Sequence, residues 1–178
     1  MMEMDESPTV VKLPDEDGRV ALRLHVNGRE RTVWVRTTET LLETLRDQLK
    51  LQGARSGCAV GMCGSCTVLR DGQAIDGCLT ISSLCENESI VTVEGLESES
   101  GELSPVQDAF LRHRSFQCSY CTSGFILALT ALLKRVPKPT EEDVREAFSG
   151  HICRCGSYSR IMAAARELIS DGSETERR

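Results

Sequence analysis

The chain has 178 residues, of which 40% are hydrophobic and 4% aromatic, and its formal net charge is -6. This length allows one domain or two small ones, each with a packed core. The acidic balance argues against nucleic acid and anionic membranes as partners, because both are bound through basic patches, and no stretch approaches the length of a membrane span.

Residues 1–18 are acidic and polar and include Pro8 and Pro14, which predicts a flexible tail. The segment has no basic region, apolar region or twin arginine of an export signal, so we expect a cytoplasmic protein. The chain has nine cysteines, an odd number. It is also long for a disulfide-dense secreted scaffold, so cytosolic thiols that bind metal fit better than disulfides.

Residues 19–96 have the pattern of a β-rich module. Apolar residues alternate with others from Val20 to Val26, and a second strand-like run covers residues 32–35. Asn27-Gly28 lies between the two runs, and this dipeptide is a strong signal for the turn of a β-hairpin. The sequence therefore predicts a hairpin at the start of the module.

The rest of this module combines one helix with further strands. Thr40 and Glu43 form a candidate capping box for the beginning of the helix. Asp71-Gly72 predicts the turn of a second hairpin, with strands at residues 66–70 and 73–78. Residues 89–93 are predicted to form the last strand.

Between the helix and the second hairpin lies the cysteine-rich loop Gly-Cys-Ala-Val-Gly-Met-Cys-Gly-Ser-Cys. With one distant cysteine, it has the spacing of a plant-type [2Fe–2S] ferredoxin site. The candidate ligands are Cys58, Cys63, Cys66 and Cys78. Cys85 is also close enough in sequence to be the fourth ligand. We prefer Cys78 because it lies at a predicted strand end, and Cys85 is then predicted to be a small buried hydrophobic residue. Zinc is the alternative metal, although structural zinc sites usually use two short pairs of ligands.

The remainder of the chain is predicted to be helical. Residues 97–103, Glu-Ser-Glu-Ser-Gly-Glu-Leu, form a linker, residues 104–170 a small helical bundle, and residues 171–178 a C-terminal tail. The four helices are predicted to begin at Ser104-Pro105 and to cover residues 125–135, 140–148 and 158–169.

A second group of cysteines lies in this helical region. Cys118 and Cys121 form a tight pair, which Cys153 and Cys155 can complete. Two ligands one residue apart cannot share a helix face, so Cys153-Arg154-Cys155 is expected to be a tight loop between helices. Alone, this set allows zinc or an iron–sulfur cluster, and the first group favours a second cluster.

Two stretches carry a family resemblance: Gln-Cys-Ser-Tyr-Cys-Thr-Ser-Gly at residues 117–124 and Cys-Arg-Cys-Gly-Ser-Tyr-Ser-Arg-Ile at residues 153–161. Together they resemble the iron–sulfur subunit of the molybdenum hydroxylases, the family of xanthine dehydrogenase, aldehyde oxidase and carbon monoxide dehydrogenase. The first cysteine loop is also similar to that family's, and the resemblance covers about residues 20–168. It implies an α+β fold, with an N-terminal plant-ferredoxin-like β-grasp domain followed by a small four-helix-bundle [2Fe–2S] domain.

The resemblance also implies the role of each cysteine group. The first group would hold an outer [2Fe–2S] cluster and the second an inner cluster near a molybdopterin cofactor. The outer ligands would be Cys58, Cys63, Cys66 and Cys78, and the inner ligands Cys118, Cys121, Cys153 and Cys155. Gln117 and Cys155 would contact the molybdopterin.

The resemblance further implies partners and a function. Molybdopterin, in a dinucleotide form, would belong to a large subunit and FAD to a medium subunit, in a dimer of heterotrimers. This chain would pass single electrons from the molybdopterin centre through both clusters to a flavin or another acceptor, and no catalytic residue is assigned in it. A freestanding two-cluster electron carrier and a zinc-dependent structural module are the alternatives.

Five positions depart from the family pattern. Ser119 and Ser123 stand where the family usually has glycine and proline, and His151 stands where it usually has asparagine. Gly156-Ser157-Tyr158 replaces the usual Thr-Gly-Tyr. These changes remove no ligand and leave the branch of the family and its substrate open.

Overall fold

The computed structural model describes residues 14–98 and 100–174, with side chains up to residue 170. The first 13 residues of the predicted N-terminal tail and residues 175–178 of the predicted C-terminal tail lie outside this range. Within it, the buried hydrophobic side chains form two clusters, one among the strands and one among the helices. The chain is therefore a mixed α/β protein with two hydrophobic cores.

The first core lies against a sheet that has five strands in the described residues, in the order β2-β1-β5-β3-β4. The strands are β1 (Arg19–Val26), β2 (Arg29–Arg36), β3 (Thr67–Arg70), β4 (Gln73–Asp76) and β5 (Ser89–Val91). β1 runs antiparallel to β2 and parallel to β5, whereas β3 is antiparallel to β4 and β5. Asn27 and Gly28 have φ angles of 51° and 73°, as the predicted tight turn requires. Both predicted hairpins are confirmed.

Helix α1 (Leu41–Glu43) begins at the predicted capping box. The Glu43 backbone N–H donates to the Thr40 hydroxyl, and the Thr40 N–H donates to the Glu43 carboxylate at 2.8 Å. The helix then widens into a π-helical turn, Thr44–Gln48, which the sequence did not predict. This turn delivers the chain to the cysteine-rich loop.

The second half contains four α-helices in the part of the chain that the structure describes. They are α2 (Pro105–Arg112), α3 (Thr122–Arg135), α4 (Glu141–Ala147) and α5 (Tyr158–Glu174). α3 begins at Thr122 rather than at the predicted residue 125, because the Cys121 carbonyl already accepts the Phe125 N–H. α5 continues to Glu174 rather than ending at the predicted residue 169. None of the described helices combines the length and apolarity needed to cross a membrane.

The two halves are joined at the end of β5. Val93 and Leu96, in the 3-10 turn Val93–Leu96, pack against the helical core. The Gln107 side chain on α2 donates a hydrogen bond of 3.0 Å to the Val93 carbonyl. The packing of this turn fixes the entry into the helical half.

Candidate metal centres

The cysteine-rich loop between α1 and β3 turns its backbone N–H groups toward sulfur. The N–H groups of Val60 and Met62 donate to the Cys58 Sγ at 3.5 and 3.3 Å, and the Cys58 N–H donates to the Cys63 Sγ at 3.4 Å. The bonds from Val60 and Met62 lower the pKa of the Cys58 thiol to about 7. The loop therefore favours the thiolate, which is the form that binds metal.

Glycine allows this loop to wrap closely around the sulfurs. A Cβ atom on Gly57 would lie 2.7 Å from the Cys63 Sγ, so a larger residue would enter the space beside the thiol. Gly64 has a left-handed φ of 66°, and a Cβ there would overlap the ring of His151. Both positions need a residue without a side chain.

The second hairpin brings Cys66 and Cys78 together. Cys66 precedes β3 and Cys78 follows β4, and the Cys78 thiol lies close enough to influence the pKa of Cys66. Burial raises the pKa of Cys66 to about 12, and Cys78 and Asp76 add to the effect. The Cys66 Sγ also lies 3.7 Å from the Asp76 Oδ1, a neighbour that the cysteine spacing gave no reason to expect.

Cys85 lies apart from this pair. Its side chain is fully buried in the strand core, and its Sγ is 3.8 Å from the Ile81 carbonyl oxygen. Burial raises the pKa of its thiol. This placement supports Cys78 as the fourth cysteine of the first group, although the ligand assignment itself stays a prediction.

The second group of cysteines lies at one end of the helical half. Cys118 and Cys121 occupy the loop before α3, whereas Cys153 and Cys155 occupy the turn before α5. The Cys155 Sγ is 3.5 Å from the Cys118 Sγ, and the Cys153 thiol lies close enough to Cys121 to influence its pKa. The expected tight loop between helices is present, and it brings all four cysteines to one place.

Hydrogen-bond donors also surround these sulfurs. Burial opposes ionisation of Cys153, but the Ser157 backbone N–H, 3.3 Å from its Sγ, and the Cys121 thiol give it a lowered pKa. The pKa of Cys118 is lowered, first by the Tyr120 backbone N–H and then by Cys155. Burial raises the pKa of Cys121 to about 12.

The pairing of the thiols distinguishes two kinds of metal site. Among the described residues, no three His, Cys, Asp or Glu side chains are placed to hold a single metal ion. A [2Fe–2S] cluster takes two cysteines on each of two irons, whereas structural zinc takes four ligands on one ion. Two thiol pairs with N–H donors directed at sulfur fit the binuclear cluster better.

The two residues predicted to contact molybdopterin are joined to each other. The Gln117 Nε2 donates a hydrogen bond of 3.2 Å to the Cys155 carbonyl oxygen. Gln117 and the neighbouring Cys118 are exposed, and Cys155 is half-buried. This edge of the second group is open to a partner.

Side chains at the departing positions bind across the boundary between the two halves. The Ser123 hydroxyl donates to the Gly53 carbonyl at 2.6 Å. The His151 Nε2 is 3.0 Å from the Thr67 hydroxyl oxygen, and that hydroxyl donates to the Gly64 carbonyl. The Nε2–H must therefore be the donor to Thr67. These contacts join segments far apart in sequence, and no spacing rule could have found them.

Ser119 and two nearby tyrosines have local structural roles. Ser119 has a left-handed φ of 63°, a conformation that suits the usual glycine. The Tyr158 hydroxyl accepts the Cys153 backbone N–H at 2.8 Å. Beside Ser119, the Tyr120 hydroxyl donates to the Ser56 carbonyl at 2.6 Å. The loop of the second group therefore reaches the loop of the first.

The two halves match two families of known domains. Residues 24–90 match the 2Fe-2S iron-sulfur cluster binding domain, and residues 92–166 match the [2Fe-2S] binding domain. Both cysteine groups lie within these matches. The chain therefore has two [2Fe–2S] domains, which agrees with the donor geometry of each site.

Several known proteins are similar to most of the chain. The chain is 48% identical over 151 residues to the nicotine 6-hydroxylase small subunit of Paenarthrobacter nicotinovorans, covering 85% of this chain and 90% of the relative. It is 42% identical over 165 residues to the aldehyde oxidoreductase iron-sulfur-binding subunit PaoA of Escherichia coli (strain K12), covering 84% of this chain and 72% of the relative. The fold matches a chain of quinoline 2-oxidoreductase from Pseudomonas putida 86 with a TM-score of 0.79 and 38% identity, covering 83% of this chain and 91% of that chain.

Proposed function

The chain belongs to the family of iron–sulfur subunits of the molybdenum hydroxylases, and on that premise we propose a definite role for each of its cysteine groups. It is the electron-transfer subunit of a multi-subunit oxidoreductase. Its two [2Fe–2S] clusters, when bound, let it pass single electrons from the molybdopterin centre to a flavin or another acceptor. A freestanding carrier is not favoured, because the relatives are named as subunits of larger enzymes.

The outer cluster is assigned to the first cysteine group and the inner cluster to the second. The outer ligands are Cys58, Cys63, Cys66 and Cys78, and the inner ligands are Cys118, Cys121, Cys153 and Cys155. The pairing of thiols within each group supports this assignment. N–H groups at Val60, Met62 and Ser157 stabilise negative charge on the ligand sulfurs.

The domains follow from the two cores. We assign residues 19–96 to a plant-ferredoxin-like β-grasp domain and 104–170 to a four-helix-bundle domain, with 97–103 as the linker. Residues 1–18 and 171–178 are assigned as tails, the second of which includes the last residues of α5. The strand order and the separate helical core support this division.

The exposed edge at Gln117 and Cys155 is assigned to contact with molybdopterin. The hydrogen bond between these residues and the exposure of Gln117 support the assignment. The partner here is a large subunit that binds the cofactor in a dinucleotide form. A medium FAD subunit, a dimer of heterotrimers and a cytoplasmic location complete the proposal.

This chain's own residues keep the two centres at a fixed separation. The Ile152 N–H donates to the Cys63 carbonyl at 3.1 Å, and His151 binds Thr67 in the same region. These bonds connect the residue before Cys153 to a ligand residue of the outer group. This connection is the observation on which the proposed path between the centres rests.

Low-temperature EPR of the natively purified, dithionite-reduced complex tests the proposal. We expect two distinguishable S = 1/2 signals with about two spins per chain. One signal would reduce the second group to a structural site. No signal, together with zinc in metal analysis, would overturn the electron-transfer assignment.

A further inference from the structure

A carboxylate lies directly against the proposed outer ligands. Asp76 is the last residue of β4, and its Oδ1 is 3.7 Å from the Cys66 Sγ. Its Oδ2 is 3.4 Å from the position that a Cβ would take on Gly61, in the loop between Cys58 and Cys63. The carboxylate therefore contacts one proposed ligand sulfur directly and lies beside the loop that carries Cys58 and Cys63.

No positive charge neutralises this carboxylate. Among the described residues, no lysine, arginine or histidine forms an ion pair with Asp76. Thr80 binds the backbone carbonyl of Asp76 and not its carboxylate. His151 lies close enough to influence this charge, but its Nε2–H is bonded to Thr67. Asp76 is half-buried and Cys66 is 2% exposed, so water screens the carboxylate only partly.

We propose that Asp76 lowers the reduction potential of the outer centre by holding an uncompensated negative charge against its ligand sulfurs. Adding an electron to a site that already has four thiolates increases its negative charge, and a nearby carboxylate opposes this step. Hydrogen-bond donors and charges around the sulfurs are established determinants of such potentials. The proposal rests on the proposed assignment of the outer ligands.

The effect on electron flow follows from this charge. In the step between the centres, one electron leaves the inner site and one arrives at the outer site, and no bond is formed or broken. Asp76 makes this step less favourable. It gives the electron more driving force in the following step, which is transfer from the outer centre to the acceptor. The outer centre is thereby suited to an acceptor of low potential, such as a flavin.

An EPR-monitored redox titration of the intact complex tests the proposal. We expect Asp76→Asn to raise the midpoint potential of the outer signal by the equivalent of at least a tenfold change in equilibrium constant, about 59 mV for one electron. The inner signal should keep its potential. Asp76→Glu should retain the low outer potential, because it keeps the charge.

Asp47→Asn is the matched control. Asp47 is an exposed carboxylate in the turn Thr44–Gln48 of the same half, and its removal should leave both potentials unchanged. An outer potential that stays constant or falls in Asp76→Asn would overturn the proposal.

Two further outcomes distinguish a role of Asp76 in cluster assembly from an effect on the reduction potential. If Asp76→Asn loses the outer signal, the potential is measured in Asp76→Ser instead. Loss of the outer signal in both variants would overturn the proposed effect on the potential and indicate that Asp76 is needed for assembly of the outer cluster. If the unmodified complex does not show two [2Fe–2S] signals, the proposed function fails. Two normal signals without a shift would contradict only the role of Asp76.

Discussion

The backbone N–H of Ile152 donates a hydrogen bond of 3.1 Å to the carbonyl oxygen of Cys63. Cys63 belongs to the proposed outer site, and Ile152 immediately precedes Cys153 of the inner site. The two sites are thus connected by a short run of covalent bonds and one hydrogen bond. This hydrogen bond offers the two proposed centres a direct through-bond path, although their cysteines belong to separate cores.

Replacement of Gly124 tests the close contact of the two halves. A Cβ on Gly124 would overlap the carbonyl oxygen of Gly64. Gly124→Ala must therefore move α3 away from the cysteine-rich loop that contains Gly64. Alanine in a helix is favoured over glycine by about 1 kcal/mol, so a loss of stability would come from the contact. We expect a net loss of about 1–3 kcal/mol, measured by thermal unfolding.

Gly150→Ala is the control for this experiment. Gly150 has no atom within 4 Å of a Cβ position and no left-handed φ. Its replacement should leave the unfolding temperature nearly unchanged. Equal stability of the Gly124→Ala and unmodified proteins would show that the halves do not need this contact.

Loss of the His151 side chain should weaken the connection between the sites. His151→Leu removes the hydrogen bond to the Thr67 hydroxyl, and we expect a loss of about 1 kcal/mol in stability. The magnetic interaction between the two reduced clusters should also change, measured as splitting of the EPR signals. A double-mutant cycle with Thr67→Val gives the coupling energy. Fully additive effects would mean that the two side chains do not act together.

Removal of one inner ligand should affect one site only. Cys155→Ser should abolish the inner EPR signal and retain the outer one, because the two groups belong to separate cores. Cys85→Ala is the control, and it should keep both signals because its thiol lies in the strand core. The measurement is the number of spins per chain. Equal loss of both signals in folded Cys155→Ser protein would contradict the assignment to two domains.

Gln117→Ala tests the proposed contact with molybdopterin. The exposed Gln117 side chain binds the Cys155 carbonyl, so its removal should slow reduction of the clusters by substrate and leave both EPR signals intact. Stopped-flow absorbance of the intact complex measures this rate. Gln73→Ala removes an exposed glutamine on β4 and should not change the rate. An unchanged rate in Gln117→Ala would argue against the contact.

Local signals predicted much of this fold. The Asn27-Gly28 turn and the Thr40 capping box depend on residues close together in sequence, and both were found as predicted. The end of α5 was predicted too early, because the sequence beyond Ile169 is Ser-Asp-Gly-Ser and has no apolar face to extend the pattern. Helical hydrogen bonding continues there without that pattern.

The environment of the sites could not be read in the same way. The cysteine spacing grouped the thiols, but the Asp76 carboxylate beside Cys66 depends on how the second hairpin meets the loop. The bonds from Ser123 to Gly53 and from His151 to Thr67 depend on how two cores pack. Such contacts follow from tertiary structure, which local periodicity does not contain.

The approach of Gly124 to the Gly64 carbonyl has a mechanical consequence. The main chain of α3 packs against the main chain at Gly64, and Ile152 is hydrogen-bonded beside it, so the described part of this boundary is closely packed. The spacing between the centres is then set once, when the protein folds, and not by domains that swing together in each turnover. Electron exchange between them should therefore be independent of solvent viscosity, unlike that of a carrier whose parts must diffuse into contact.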